Sequence, residues 1–297
     1  MDTRQLQTLV AVADTGSFAS AARLVNLTAS AVSQQIQALE GEIGAILFDR
    51  TKRPPQINAK GEELVRAARS VVQTMTEARI AISGGRTAGV LKIGAVRTVS
   101  MRLVPQAFVD MWALYPDLSF DLKVGMSEEL MADVAAGRLD AALVAEHVGV
   151  PASLSWTPVL SEPLVLVAPP NAGGRSELSM LRDLPFIRYE TGVPLARQIE
   201  TELSRLGVTL RAIVVTNTMP SVVGMVQAGL GVAIIPKIAF LDAQPGSLFC
   251  RPFCNDAIVR RLGLVQRQVS SRSEVLAGLR SVLYRRANDI GLAAPLE

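Results

Sequence analysis

Residues Ser17 to Glu40 constrain this chain more than any other stretch. They fit two short helices joined by a tight turn. Ser17 can cap the first, because its hydroxyl accepts from an orphan backbone N–H. Phe18, Ala21, Ala22 and Leu24 are that helix's packing residues. Asn26 tolerates the left-handed conformation that stops a helix. Thr28 then caps a second helix, which buries Ala31, Val32, Ile36 and Leu39 at helical spacing. Its other face carries Ser30, Ser33, Gln34 and Gln37, which are uncharged and hydrogen-bonding. Such a helix fits the major groove of DNA, where Gln and Ser can read base edges while the apolar side rests on a partner helix. An ordinary helical hairpin with a polar outside has the same pattern, so the flanking sequence decides between the two.

The flanks favour DNA. Met1 to Asp14 reads as a buttressing helix, with Leu6, Leu9, Val10, Val12 and Ala13 as its buried stripe and Gly16 as its stop. After Glu40 a turn over Gly41 to Gly44 leads to Leu47 and Phe48, a plug for a small core. The segment 49–57 then reads as the wing of a winged helix-turn-helix, stiffened by Pro54 and Pro55. Arg50, Lys52 and Arg53 in it can neutralise phosphates, and Arg can also enter a minor groove. Basic residues in a loop are often only solvated, and it is the neighbouring helix pair that favours the DNA role. Asn58 can cap a long helix running to about Ser83. Along it Leu64, Ala68, Val71, Met75, Ala78 and Ile82 alternate by four and three residues, a seam suited to a partner helix. The alternative is a stripe packed on the chain's own domain. We read a dimer-forming linker helix, and a dimer presents two recognition helices to a roughly palindromic site.

With these residues in place, the sequence resembles the N-terminal domain of the LysR-type transcriptional regulators. The resemblance rests on Leu6, Leu9, Val12, Gly16-Ser17-Phe18, Ala21-Ala22, Leu24, Thr28, Ala31-Val32-Ser33, Gln35-Ile36, Leu39-Glu40, Gly44, Leu47-Phe48, Arg50, Arg53, Ile57 and Gly61, all in fixed register. It continues more loosely to about residue 285. It implies a regulator that binds an interrupted inverted repeat in double-stranded DNA as a dimer or a dimer of dimers (a homotetramer). It also implies RNA polymerase as a partner and control by a small-molecule effector. On this basis Thr28, Ala29, Ser30, Ser33, Gln34 and Gln37 would face the major groove, with Arg50, Lys52 and Arg53 on the backbone or minor groove. Two positions depart from the family. Ala29 stands where many members carry Gln, and a methyl touches thymine but cannot pair with adenine. Gln34 stands where Arg or Lys is frequent.

Composition narrows the rest. A chain of 297 residues, 49% hydrophobic, has material for a large core and for about two domains on a soft prior of ~150 residues each. No uninterrupted apolar run reaches the ~18 residues of a membrane span, and no basic-then-apolar signal opens the chain. Cys250 and Cys254 are too few for a disulfide framework, and a cytoplasmic location fits. The net charge of +3 and pI near 9.1 do not by themselves indicate nucleic acid. His147 is the only histidine, which leaves little material for a His-based triad or a two-His metal site. No catalytic residue, metal site or cofactor is expected, and an enzyme is a poor alternative. Peroxide-sensing members of the family use cysteines, but neither cysteine here lies in a recognisable reactive motif, and Arg251 is only a weak activating hint.

Ser83 to Gly89, with three glycines, is the clearest linker. The expected organisation is a winged helix-turn-helix domain at 1–57, a dimerising linker helix at 58–83, a hinge at 84–89 and a regulatory domain at 90–297. From Val90 strands alternate with helices, which predicts an α/β domain with a mainly parallel sheet. Expected strands are 90–96, 118–124, 141–145, 163–168, 212–215, 232–235 and 261–266. Expected helices are 104–114, 128–136, 195–206, 221–228 and 273–286. The resemblance implies two lobes like those of the periplasmic binding proteins, lobe I at about 90–162 and 261–297 and lobe II at about 163–260. Ligands in such folds sit at the carboxyl ends of strands. Three such ends carry short polar residues before a helix, and hydroxyls and free N–H groups there favour an anion, although simple helix capping explains them equally well. Arg97, Thr98, Ser100, Met101, Met126, Ser127, Asn217 and Thr218 are therefore the candidate effector residues, for an organic acid. Glu128 and Glu129 place opposing charge nearby. A solute-binding protein serving a transporter would share the second domain but not the first. An architectural DNA-binding protein would share the first but need no effector.

Overall fold

The computed structural model describes residues 1–82, 87–146, 149–189, 194–243, 248–256 and 258–293. Hinge residues 83–86 and His147 lie outside the described residues. The chain divides into two compact units, with the break between Arg86 and Thr87.

In the first unit short-range caps set the helix ends. Asp2 accepts from Gln5 N while the Gln5 side chain accepts from Asp2 N, a capping box that opens α1 (Thr3–Thr15). Gly16, at φ 63°, closes it. Ser17 Oγ accepts from Ser20 N to open α2 (Phe18–Leu24), and Asn26 turns the chain at φ 55°. Thr28 Oγ1 accepts from Ala31 N to open α3 (Ala29–Ile43). Leu9, Val12, Ala21, Ala22, Val32, Ile36, Leu39, Leu47 and Phe48 form one core.

The burial pattern departs from the expected one in places. Leu24 is 65% exposed. A seven-residue helix turns Phe18, Ala21, Ala22 and Val25 inward, and position 24 falls off that stripe. Val10, Ala13 and Ala31 are half-buried. The polar Thr8 is buried instead, its hydroxyl donating to Gln35 Oε1 at 2.6 Å.

The wing is a two-stranded antiparallel pair, β1 (Phe48–Asp49) and β2 (Gln56–Ile57), with Phe48 opposite Ile57. Phe48 meets Phe18 edge-on, with ring centroids 5.2 Å apart, so wing and helix pair share a core. Asn58 Oδ1 accepts from Gly61 N at the start of α4 (Ala59–Ile82), and its Nδ2 donates to Ile46 O.

The expected dimer seam on α4 divides in two. Ala68 is buried and Leu64 half-buried in the unit's own core with Val65, where α4 packs on α1. Those two positions are intramolecular, because Val65, Ala68 and Val72 form the stripe that faces α1. Val71, Met75, Ala78 and Ile82 are exposed, Ile82 at 88%.

The second unit has two cores and two sheets. Strands β3 (Gly89–Val96), β4 (Leu118–Gly125) and β5 (Ala141–Ala145) run parallel, with β3 in the middle. Helices α5 (Leu103–Leu114), α6 (Ser127–Ala135) and α11 (Ser273–Asp289) contribute the first core's helical layers. The chain leaves along β6 (Leu154–Ala168) and returns along β11 (Val259–Arg267), which pair antiparallel with each other.

The carboxyl half of β6 pairs antiparallel with β9 (Ala233–Pro236) and β10 (Phe249–Pro252). Beyond β9 lies β7 (Phe186–Tyr189), joined to it by a bridge from Phe186 to Val232, and then its parallel partner β8 (Ala212–Thr216). Helices α7 (Glu177–Asp183), α8 (Pro194–Arg205) and α9 (Met219–Gln227) lie among these strands in sequence and supply residues to the second core. The short helix α10 (Lys237–Asp242) follows β9.

The larger sheet is therefore mixed rather than mainly parallel, because the two crossing strands run against their neighbours, whereas β7 and β8 pair parallel. The crossing strand is also longer than the expected 163–168. Pro158 lies within the strand opposite Gly263, beside a register shift between Leu262 and Gly263, and Pro163 pairs with Val259.

Gly61 tests how the wing joins α4. A Cβ there would overlap the carbonyl oxygen of Leu47 and Cγ1 of Ile57. Gly61→Ala should therefore destabilise the protein by about 1–3 kcal/mol despite the better helix propensity of Ala. Urea denaturation followed by far-UV circular dichroism reads this out, and an unchanged midpoint would contradict the packing.

Candidate DNA-reading helix and ligand cleft

On α3 the polar residues separate from the apolar ones. Thr28, Ala29, Ser30, Gln34 and Gln37 are exposed and Ser33 is half-buried. The Thr28 and Ser30 hydroxyls lie 3.0 Å apart and share a hydrogen bond. Gln35 points the other way, held by Thr8, so it locks α3 to α1 rather than lying on the outer face.

Glu40, in the last turn of α3, joins helix to wing. Its Oε1 accepts from the backbone N–H groups of Leu47 and Phe48, at 2.8 and 3.2 Å. Its Oε2 takes Arg50 Nη2 at 2.7 Å. Arg50 thus has part of its charge offset within the unit. Lys52 Nζ donates to Gln56 Oε1 at 2.8 Å, and Arg53 is exposed with no ion pair among the described residues. Sequence reasoning matched Glu40 as a landmark without finding this role. The signal was available only as an acid seven residues before a buried Leu-Phe pair.

In the second unit a cavity of ≈ 50 Å³ lies between the two lobes. Arg97, Thr98 and Met101 line it from the end of β3. Tyr189, Met219 and Pro220 line it from lobe II, and Ala239, Asp242 and Ala243 from α10 and the residue after it. Three of the eight candidate effector residues are brought here.

The others are placed elsewhere. Asn217 reaches the junction through its carbonyl, which accepts from Arg97 Nη1 at 3.1 Å. Ser100 Oγ donates back to Arg97 O. Thr218 Oγ1 donates to Ser221 Oγ at 2.6 Å. Ser127 Oγ accepts from Ala145 N within lobe I, and Met126 is exposed. Both of the last two follow β4, the outer strand of its sheet, and so do not line the cavity. Tyr189 and Asp242 were missed. They end a four-residue strand and a six-residue helix, too short for any periodic signal.

A buried ion pair sits behind the cavity. Glu162 is wholly buried; its Oε1 pairs with Arg260 Nη1 at 3.2 Å and its Oε2 accepts from Ile238 N. Arg260 Nη2 donates to Thr98 Oγ1 at 3.0 Å. Burial pushes the Glu162 carboxyl up; Arg260 and the Ile238 N–H pull it down, and Asp242 adds a small upward push.

Asp242 differs. Both carboxylate oxygens are shielded and accept no hydrogen bond among the described residues. Burial pushes its pKa up to about 6, against the pull of Arg102, which spends Nη1 on Leu241 O.

Cys250 and Cys254 are half-buried and unpaired. Burial pushes Cys250 up to about 11, and burial with Glu177 and Glu202 raises Cys254. Both thiols are thus held in their unreactive protonated form. Among the described residues no His, Cys, Asp or Glu cluster suits a metal, and no helix is long and apolar enough to cross a membrane.

The family follows from comparison. The lysR-family bacterial regulatory helix-turn-helix model matches residues 3–62, and the LysR substrate-binding domain model matches 84–288. The chain belongs to the LysR family of transcriptional regulators. It is 30% identical over 252 residues to the regulator CzcR of Bacillus cereus, covering 84% of this chain and 85% of that one. It is 31% identical over 240 residues to YofA of Bacillus velezensis, covering 80% and 82%. Among solved structures, a full-length OxyR variant from Pseudomonas aeruginosa superposes with a TM-score of 0.80 at 22% identity, over 95% of this chain and 94% of that one, and so shares the fold. This LysR-type regulator thus carries a helix-turn-helix unit followed by a two-lobed α/β unit.

The raised Asp242 pKa has a testable sign. An unfolded Asp loses its proton near pH ~4, whereas the folded one keeps its own until about pH 6. Stability therefore falls between those values and stays lower above them. Asp242→Asn should raise Tm at pH 8 and change it little at pH 4, as read by thermal unfolding across pH. A lower Tm at pH 8 would mean that the carboxylate is paired.

Proposed function

We propose that this regulator reads an interrupted inverted repeat through the exposed face of α3, under control of a small organic acid bound between the lobes. The observation that carries the DNA half is the locked α3. Its apolar side and Gln35 are fixed from within, leaving Thr28, Ala29, Ser30, Gln34 and Gln37 outward with Ser33 at the margin. Uncharged hydrogen-bonding side chains suit base edges, and the wing's Lys52 and Arg53 suit phosphates. Arg50 contributes less charge, because Glu40 holds it.

The outward stripe Val71, Met75, Ala78 and Ile82 gives α4 its partner face. Two copies joined there place two α3 helices on one site, and a pair of dimers makes the tetramer. The protein works in the cytoplasm with RNA polymerase as a further partner, and it has neither enzymatic activity nor a cofactor. The cleft half rests on Arg97, whose guanidinium bonds only through Nη1 among the described residues and so keeps donors for a carboxylate.

Gel shifts on DNA from upstream of the protein's own gene, against scrambled DNA, test the reading. Arg53→Ala should weaken binding to all sequences and reduce the slope of log affinity against log salt by about 1. Gln34→Ala should leave that slope alone and narrow the gap between specific and scrambled DNA by about 1–3 kcal/mol. The reverse pattern would exchange the roles of helix and wing. Equal binding to both DNAs by the parent protein would indicate an architectural role instead.

The dimer face has its own test. Met75→Glu combined with Ile82→Glu should shift the protein toward monomer in sedimentation velocity. An unchanged sedimentation coefficient would move the interface elsewhere.

A further inference from the structure

We propose that the acid taken between the lobes is a short-chain aliphatic monocarboxylate, its hydrocarbon end filling the cavity and its carboxylate held at the rim by Arg97. This rests on the reading of the cleft as an effector site and names the class of acid the site selects.

The cavity wall carries the argument. Asp242 lines it, but both carboxylate oxygens are shielded, so what this residue adds to the wall is carbon. The Thr98 hydroxyl oxygen accepts from Arg260 Nη2. Tyr189 is half-buried and packs against the second core. Met101, Met219 and Ala239 are apolar throughout. Water suits such a space badly, because an enclosed water needs about two to four polar partners. A ligand that carries a hydroxyl or a second carboxylate inward would lose its hydration without a partner in return. A hydrocarbon end loses nothing there and gains by leaving water.

Size narrows the class. The cavity is ≈ 50 Å³, roughly a third of the ~150 Å³ that takes a benzene ring. There is room for about two or three carbon atoms. An aromatic ring or a long chain would have to displace the wall. Arg97 takes the other end of the molecule. It is exposed and donates only through Nη1, to Asn217 O at 3.1 Å, among the described residues. An arginine stem can lie along an apolar wall while its charged head stays in water, and the remaining donors suit a carboxylate.

Thermal-shift titrations of the full-length protein at pH 8 and matched ionic strength test this with acetate, propionate, butyrate and hexanoate. Succinate, 4-hydroxybutyrate and benzoate are the comparison probes. Affinity should rise about fourfold per added carbon from acetate to butyrate and gain nothing further with hexanoate. The three comparison probes should each bind about tenfold or more weakly than butyrate. In Met219→Ala the rise should continue to hexanoate, and in Ala239→Val it should end at propionate. Opposite shifts from two wall substitutions do not arise from misfolding. Arg97→Gln should weaken every acid about tenfold and keep their order.

Succinate or 4-hydroxybutyrate binding as tightly as butyrate would overturn the aliphatic class and leave another organic acid in the same cleft. So would tighter binding of benzoate, or a chain-length order that neither wall substitution moves. No binding from any acid, with no change in DNA retardation, would overturn both the aliphatic class and the effector site.

Discussion

The second unit depends on the buried pair between Glu162 and Arg260. Glu162 lies on β6 where the chain passes from one core to the other, and Arg260 lies opposite it on β11 where the chain returns. The same two side chains also bind the Ile238 N–H in the first turn of α10 and the hydroxyl of Thr98 at the end of β3. Both crossings, the start of a cleft helix and a cleft-lining side chain are therefore fixed by one carboxylate and one guanidinium. A buried pair of this kind gives little net stability over an apolar replacement, but breaking it leaves a charge with no partner. Its effect is specific: it determines which residues of the two lobes meet. Arg97, Thr98 and Asp242 line one cavity because this junction holds the end of β3 against α10.

That dependence explains which parts of the fold were legible in the sequence. The helix-turn-helix was legible because its rules are local. Ser17, Asn26, Thr28 and Asn58 each set a cap or turn within a few residues, and each stands where its residue type places it; the Asp2 capping box, equally local, went unread. The alternating strands and helices from Val90 were legible from periodicity. The long crossing strand was legible only from Pro163 onward, because Pro158, Ser161 and Glu162 before it break the apolar pattern. The division of the α4 seam was hidden for a related reason. A stripe on a helix shows in the sequence, but whether Ala68 meets α1 or a second copy is decided by a contact more than fifty residues away in sequence. The cleft was the least legible part. Its lining comes from positions 97 to 243, and the decisive carboxylate sits on a helix of six residues.

In the first unit the chemistry divides between reading and holding. The outer face of α3 has no charge from Thr28 to Gln37, so its contribution to nonspecific attraction is small and its hydrogen bonds can discriminate. Charge is placed on the wing, and Glu40 tempers it there. That glutamate organises the start of β1 by accepting two backbone N–H groups, and the same carboxylate holds Arg50 close. A wing built this way gives up some long-range attraction in exchange for a fixed angle to α3. On the proposed dimeric reading, fixed geometry matters more than charge, because two such units would have to match the spacing of one site.

Effector control then has a thermodynamic form. A ligand can bias two arrangements of the lobes only by as much as it prefers one of them. In the arrangement described, both Asp242 oxygens are shielded and accept no hydrogen bond among the described residues, so this arrangement carries an electrostatic cost once the carboxylate ionises. By linkage, whatever closure does to DNA affinity, DNA does in equal measure to ligand affinity. The pair behind the cleft and the unpaired acid within it thus have opposite roles. Glu162 is satisfied and fixes the junction, whereas Asp242 accepts no hydrogen bond among the described residues and makes the junction less stable as it ionises.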